Sequence, residues 1–363
     1  VAKINVNLID FDDELLYKRT KISFKDVEFT TPTKAGYVNC PSGPINEIYK
    51  RYDLKKLDKC LDDTNNETRA NGELKSQNVA NKINFAFLSY SDLKTPDEKH
   101  IELMSDLQYE HSDAIITPLW TNIVSDPNIT GYELLESLND LNNKFIEISK
   151  TMNNKNIVGV IPSKLPRQLF DKYMDNYIDN DVSHFVLDLD GKFIDSNKSW
   201  TRNLLRYFND NDLFENSFIY AINAYEGRFS KDYNETLAKD YISHGFGVDI
   251  LGLKHITPKL PKEQWSKFEA MGKEKPHKLF NSDSYGYMRV KESELFEITG
   301  ADSTSNAFEV RRNFNIQEQY REDVKISTIL SENSTVDQYL SSKPLVDEKT
   351  MDRIKKLKKK TVR

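Results

Sequence analysis

Lys278-Leu279-Phe280-Asn281-Ser282-Asp283-Ser284-Tyr285-Gly286-Tyr287 is the stretch on which the fold turns. An apolar run ends there in a small, polar, acidic turn, and two tyrosines follow. A barrel strand that delivers side chains to an active site reads in this way. Counted as a strand, residues 279–281 close a series. Its other members are 83–90, 114–118, 157–162, 184–188, 218–223 and 248–253, with 35–39 as an earlier short one. Most are short apolar runs rather than strict alternations, which suits parallel strands covered on both faces.

The segments between them carry helical signals. Thr130-Gly131-Tyr132-Glu133 is a capping-box pattern. Leu134, Leu138, Leu141, Phe145 and Ile148 then form one apolar stripe. Residues 168–178, 200–208 and 233–244 follow the same logic, with Gly245 placed as a C-terminal stop. Successive strands lie roughly 30 residues apart, the size of a βαβ unit. Near the start, Ile4, Val6 and Leu8 alternate with polar residues, and 21–29 repeat the pattern until Thr31-Pro32-Thr33 breaks it. Residues 62–77 hold little to bury and read as an exposed loop or insertion. The tail from Ile316 reads as helical.

The fold expected is therefore α/β. It is a (β/α)8 TIM-type barrel over 33–300 with a polar insertion near 61–78. An N-terminal β-hairpin cap covers 1–32, and a helical extension with a basic tail covers 301–363. The rival is an open doubly wound sheet, but no Gly-x-Gly-x-x-Gly follows any of the strands.

Composition excludes several classes. The net charge of -6 leaves no global basic footprint, so a nucleic-acid contact needs a local patch. Cys40 and Cys60 are too few for a disulfide framework or a four-cysteine zinc site. They read as reduced thiols of a cytoplasmic protein, in the host cytoplasm if viral. No window approaches the roughly 20 apolar residues of a membrane span. The histidines show no metal-ligand spacing, and neither a phosphate-binding Gly-x-x-x-x-Gly-Lys loop nor a Gly-x-Ser-x-Gly elbow occurs. No cofactor or metal is expected.

In a barrel, chemistry sits at the C-terminal ends of the strands. The polar residues there are Ser91, Asp92, Ser163, Lys164, Asp188, Asp190, Asn223, Tyr225, Glu226, Lys254, His255, Asn281 and Asp283. Several carboxylates around one mouth suit nucleophilic or acid–base work, one held ionised while a neighbour keeps its proton. Every barrel also has polar loops at this end, and Asp190-Gly191 is a common turn signal. Lys355, Lys356, Lys358, Lys359 and Lys360 either solvate a helix end or hold nucleic acid by its phosphates.

Three stretches resemble the tRNA-guanine transglycosylase superfamily, nearest its archaeal-type branch and phage relatives that act on DNA. Phe29-Thr30-Thr31-Pro32-Thr33 is similar to the Thr-Pro after that family's opening hairpin. The helix expected over 98–111 with Ser112-Asp113-Ala114-Ile115-Ile116-Thr117-Pro118-Leu119 is similar to its helix and apolar strand. Leu279 to Tyr287 resembles its Leu-Phe-Asp-Ser strand end. The resemblance implies exchange of guanine in nucleic acid, DNA more than tRNA, for a 7-deazaguanine base. Asn281 falls at the nucleophile position. An amide cannot fill that role, so Asp283 becomes its substitute, with Asp92 as the proton shuttle. The base-recognition loop falls near Asp190 and Gly191, with Ser163 at the base-binding stretch. The extruded base would stack on Tyr285, Tyr287, Trp120 or Tyr225, beside Glu226. The family's zinc motif is absent. The partners implied are nucleic acid and the deazaguanine, with no membrane and a homodimer left open. Two other readings stand beside this one. The first is an inactive barrel that binds nucleic acid or a partner subunit. The second is an unrelated barrel enzyme using Asp188, Asp190 and Glu226.

Overall fold

The structure is a computed structural model and describes residues 3–152, 154–230, 233–256, 261–332 and 335–362. It is a mixed α/β fold organised by parallel strands. One sheet of six places Thr33–Lys34, Ile250–Leu251, Ile219–Ile222, His184–Asp188, Ile157–Pro162 and Ile115–Ile116 side by side. A second parallel sheet runs Ile45–Tyr52, Ile83–Tyr90, Leu119–Trp120. Short links connect the sheets, two of them along the backbone. One is a parallel bridge between Gly36 and Asn46. The other is Thr117-Pro118, which separates Ile115–Ile116 from Leu119–Trp120.

Period-two alternation sorts the strand side chains into two cores. Phe85, Phe87, Ile116, Val158, Val160, Val186, Tyr220, Ile222 and Ile250 belong to one cluster. Ala86, Leu88, Ile115, Ile161, Phe185, Leu187, Ile219, Ala221 and Leu251 belong to the other, where the helices pack. Both faces are dry, which is why these strands read as continuous apolar runs. Leu134, Leu138, Leu141 and Phe145 bring the helix Gly131–Met152 onto the second cluster.

The N-terminal cap is a three-stranded antiparallel sheet of Asn5–Phe11, Lys18–Phe24 and Val27–Thr30. Ile4, Ile22 and Phe24 join the first core cluster. Lys18 forms a buried ion pair with Asp249 at 3.0 Å, and Asp249 also accepts from the Ile219 backbone at 2.8 Å. The cap is thereby fastened to the N-terminal ends of two parallel strands.

The opening stretch does not supply a parallel strand. Pro276–Asn281 pairs antiparallel with Gly286–Lys291, which also pairs with Glu235–Leu237. The turn between them, with Tyr285 at a φ of 60°, sends the chain straight back. A parallel neighbour needs a crossover of a dozen or more residues, which a tight hairpin cannot supply. The strand missing from the expected series is Ile45–Tyr52, whose Lys50 and Arg51 disguise it.

Residues 62–77 are not a loop. Helices Leu54–Asp62 and Thr64–Lys75 are capped by Asp53 and Asp63, whose side chains accept from the backbone of Lys56 and Asn65. Leu57, Cys60, Ala70 and Leu74 anchor them, so four small contacts and two caps suffice. The helix expected over 233–244 is instead the strand Glu235–Leu237 and a 3-10 turn over Tyr241–Phe246, which ends at Gly247 with a φ of 85°. The C-terminal region is helical, over Ala307–Ser331, Val336–Ser341 and Glu348–Thr361.

Candidate functional site

The C-terminal ends of the parallel strands open into two cavities. The smaller lies at the ends of Ile157–Pro162 and His184–Asp188 and is lined by Trp120, Ser163, Lys164, Tyr173, Asp188 and Asp190, among others. Asp188 accepts from Asn223 Nδ2 at 2.9 Å and from the Asp190 backbone at 3.1 Å. Burial pushes its carboxyl above the usual range. Asp190 and Gly191 take left-handed conformations, φ 49° and 73°, and Asp190 pairs with Lys164 at 2.8 Å. The turn reading of Asp190-Gly191 and its place at a cavity therefore hold together. Trp120 is only 4% exposed, and its indole N–H donates to Asn142.

The larger cavity, of about 800 Å³, lies beyond the ends of Ile219–Ile222 and Ile250–Leu251. Glu226, Lys254 and His255 come from the loops after those strands. Lys278, Tyr287 and Arg289 come from the hairpin, and Phe308, Arg311, Arg312 and Gln319 from the long helix Ala307–Ser331. Trp265 and Phe268 complete the rim from the helix Lys262–Ala270. The two ends of the opening stretch, Lys278 and Tyr287, thus do reach a cavity, while its middle forms the turn.

Two carboxyls in this cavity titrate in opposite directions. Burial pushes Glu226 up, but Lys278, Arg311 and Lys254 outweigh it and hold the group below the usual carboxylate range. Lys278 contacts it at 3.3 Å. Asp240 is raised, first by burial and then by the charge of Glu226. Its Oδ2 accepts from the Tyr287 hydroxyl at 2.6 Å, which in turn accepts from Gln319 at 2.9 Å. Asp240 Oδ1 is buried with no hydrogen-bond partner among the described residues. A protonated carboxyl with one oxygen free is a donor waiting for an acceptor. Lys254, Arg289, Arg311 and Arg312 form no ion pair among the described residues.

Beneath the cavity, Glu47 on Ile45–Tyr52 is fully buried. Its oxygens accept from His255 Nε2, from the Tyr220 hydroxyl and from the Leu253 backbone at 3.1 Å. Desolvation pushes Glu47 up, and the His255 and Tyr220 hydrogen bonds with nearby charges outweigh it, leaving the group below its ordinary value. His255 stacks on Tyr49, with ring centroids 4.0 Å apart. Only glycine at 252 permits this approach, because a Cβ there would lie 2.6 Å from Glu47 Oε2. Buried Lys34 donates to the Gly252 carbonyl. Glu47, Lys34 and Asp240 escaped sequence reading. The one signal was a lone acid in the β-forming run Ile45–Tyr52; Lys34 and Asp240 carried none.

The remaining candidates lie elsewhere. Asn281 Oδ1 accepts from the Asp283 backbone at 3.0 Å, which makes the pair a turn, and exposed Asp283 lines neither cavity. Asp92 accepts from the backbone of Leu54 at 3.4 Å and of Leu93 at 3.1 Å, at the start of the helix Leu54–Asp62. Tyr285 is buried and its hydroxyl meets that of Tyr17 at 3.2 Å. Tyr225 is half-buried with Lys239 over its ring. In the tail, Lys355 pairs with Asp337, Lys356 with Asp352, and Lys358 donates to the Asp12 carbonyl. Lys359 and Lys360 are exposed, and Arg363 lies outside the described residues. Asp188 and Asp190 share the small cavity, whereas Glu226 lines the large one.

Among the described residues no cluster of His, Cys, Asp and Glu has the arrangement of a metal site, and no helix is long and apolar enough to cross a membrane. No protein-family model matches the chain, and no curated protein matches it.

Proposed function

We propose that the two parallel sheets are one (β/α)8 barrel and that the large cavity at its mouth exchanges guanine in nucleic acid for a 7-deazaguanine base. Counting 115–116 and 119–120 as one interrupted strand, the sheets hold eight strands. The Gly36–Asn46 bridge and an apolar cluster drawn from seven of these strands, with Ala35 beside the eighth, support closure. The observation that carries the function is the pair Glu226 and Asp240. They share one cation-rich cavity, one ionised and the other inclined to keep its proton.

In this reading the Glu226 carboxylate attacks ribose C1′. The glycosidic bond breaks, and its electron pair leaves with the guanine, which takes the proton of Asp240. The incoming base then gives its ring N–H proton back to Asp240, attacks C1′ and expels Glu226. Lys278 and Arg311 keep Glu226 ionised, and Tyr287 with Gln319 orients Asp240. The test is release of labelled guanine from an oligonucleotide in the presence of a free 7-deazaguanine, with DNA and tRNA arms. Glu226→Gln is expected to abolish release, and Asp240→Asn to slow it by about 10²–10⁴. Release that survives Glu226→Gln at the wild-type rate would remove Glu226 from the mechanism.

A further inference from the structure

The helix Lys262–Ala270 buries none of its side chains, yet it carries Trp265 and Phe268, three residues apart and so on one face. Both rings line the large cavity. Trp265 and Phe268 lie 6.1 Å apart by centroid, and Phe268 and Phe308 6.5 Å, so three rings form a row along the rim. Trp265 is 36% and Phe308 48% exposed. Core packing does not account for a row of large apolar rings left open to solvent.

Cations adjoin the row. Arg311 sits over the Phe308 ring, at 5.7 Å, and its Nε is buried without a hydrogen-bond partner among the described residues. Arg312 and Lys254 line the same cavity and likewise form no ion pair among the described residues. In a chain of net charge -6, the cations lining this cavity, Lys34, Lys254, Lys278, Arg289, Arg311 and Arg312, outnumber its two carboxyls, Glu226 and Asp240, and leave a local positive patch. Rings beside unpaired cations are complementary to bases joined by phosphates. They do not suit an intact duplex, whose base faces are stacked on one another.

We propose that this rim binds a single-stranded segment of nucleic acid, its bases stacked on Trp265, Phe268 and Phe308 and its phosphates held by Lys254, Arg311 and Arg312. The inference rests on the reading of nucleic acid as the substrate, and it adds the strand state and the surface that holds it. Three phosphate contacts to a single strand give a slope of log affinity against log salt of about -2, and each cation removed lowers its magnitude by about 0.7.

Trp120 and Trp200 are buried, so an oligonucleotide stacking on the rim reports through Trp265 alone. The experiment is a fluorescence and anisotropy titration of the full chain with single-stranded DNA, single-stranded RNA, a DNA duplex and inorganic polyphosphate. Single strands are expected to bind and quench, duplex to bind more weakly, and polyphosphate to bind without quenching. Trp265→Ala is expected to weaken single-strand binding between about fivefold and about 150-fold. Trp265→Phe keeps the ring, so affinity holds while quenching disappears. Arg311→Ala is expected to flatten the salt slope. Unchanged affinity in Trp265→Ala and Arg311→Ala, equal or tighter duplex binding, or no binding at all would overturn the inference. Binding with quenching but without base release would sustain it and overturn the exchange reading. Base release by the wild type, together with unaltered single-strand affinity in both alanine variants, would do the reverse.

Discussion

Glu226 and Asp240 face one cavity, and their surroundings divide the labour between them. Glu226 lies among Lys278, Arg311 and Lys254, while Asp240 is buried beside that negative charge. Other buried groups tune stability instead. His184 stacks on Phe218, with ring centroids 4.9 Å apart, and burial lowers its pKa to about 4. The unfolded chain, with an ordinary value near 6.5, takes up that proton first as pH falls. The contribution is therefore complete above about pH 6.5 and is lost between there and pH 4, by about 3 kcal/mol. Denaturant unfolding of wild type and His184→Phe across that range is expected to show the wild type losing this amount relative to the variant. A pH-independent difference would contradict it. The site itself was only partly readable residue by residue. Glu226, Lys254 and His255 follow recognisable strands, so their place at the mouth could be read. Asp240 and Lys34 could not, because only tertiary packing brings a 3-10 turn and a two-residue strand to that cavity. Asp283 and Asn281 looked catalytic because an Asx turn and a strand end carry the same residue types.

At the scale of elements, the C-terminal helix Glu348–Thr361 shows how a charge run conceals an amphipathic one. Met351, Ile354 and Leu357 recur every three residues and are buried, while most of the cations occupy the other face. Arg353 reaches from it to the buried Asp195 with two hydrogen bonds of 2.8 and 2.6 Å. Arg353→Ala leaves that carboxylate without its partner and is expected to cost about 3 kcal/mol in urea denaturation. A loss under about 0.5 kcal/mol would mean that the pair behaves as an exposed one. The stripe was present in the sequence, but Lys and Arg at most intervening positions drew attention to charge. The opening stretch failed in another way. Apolar residues before a polar turn describe a hairpin as well as a parallel strand, and only the partner distinguishes them. Strands 83–90, 157–162 and 184–188 were read with the bounds they have, because burial on both faces leaves unbroken apolar runs.

For the whole molecule, the arrangement places the antiparallel cap at one end of the parallel strands and the cavities at the other. The antiparallel cap and the Lys18–Asp249 pair cover the N-terminal ends. The hairpin, the helix Ala307–Ser331 and the helix Lys262–Ala270 surround the C-terminal ends and shape the cavity. Glu47, on a strand of the smaller parallel sheet, bonds the backbone of Leu253 and the ring of His255, which follow a strand of the larger one, and so ties the two sheets together beneath the large cavity. The central claim is that Glu226 forms a bond to ribose at this mouth. Incubation of the full chain with a guanine-containing oligonucleotide, acid quenching and peptide mapping by mass spectrometry tests it most directly. The account predicts a nucleic-acid adduct on the peptide bearing Glu226, absent in Glu226→Gln. An adduct mapped to another carboxylate, or none with wild type while base exchange proceeds, would contradict it.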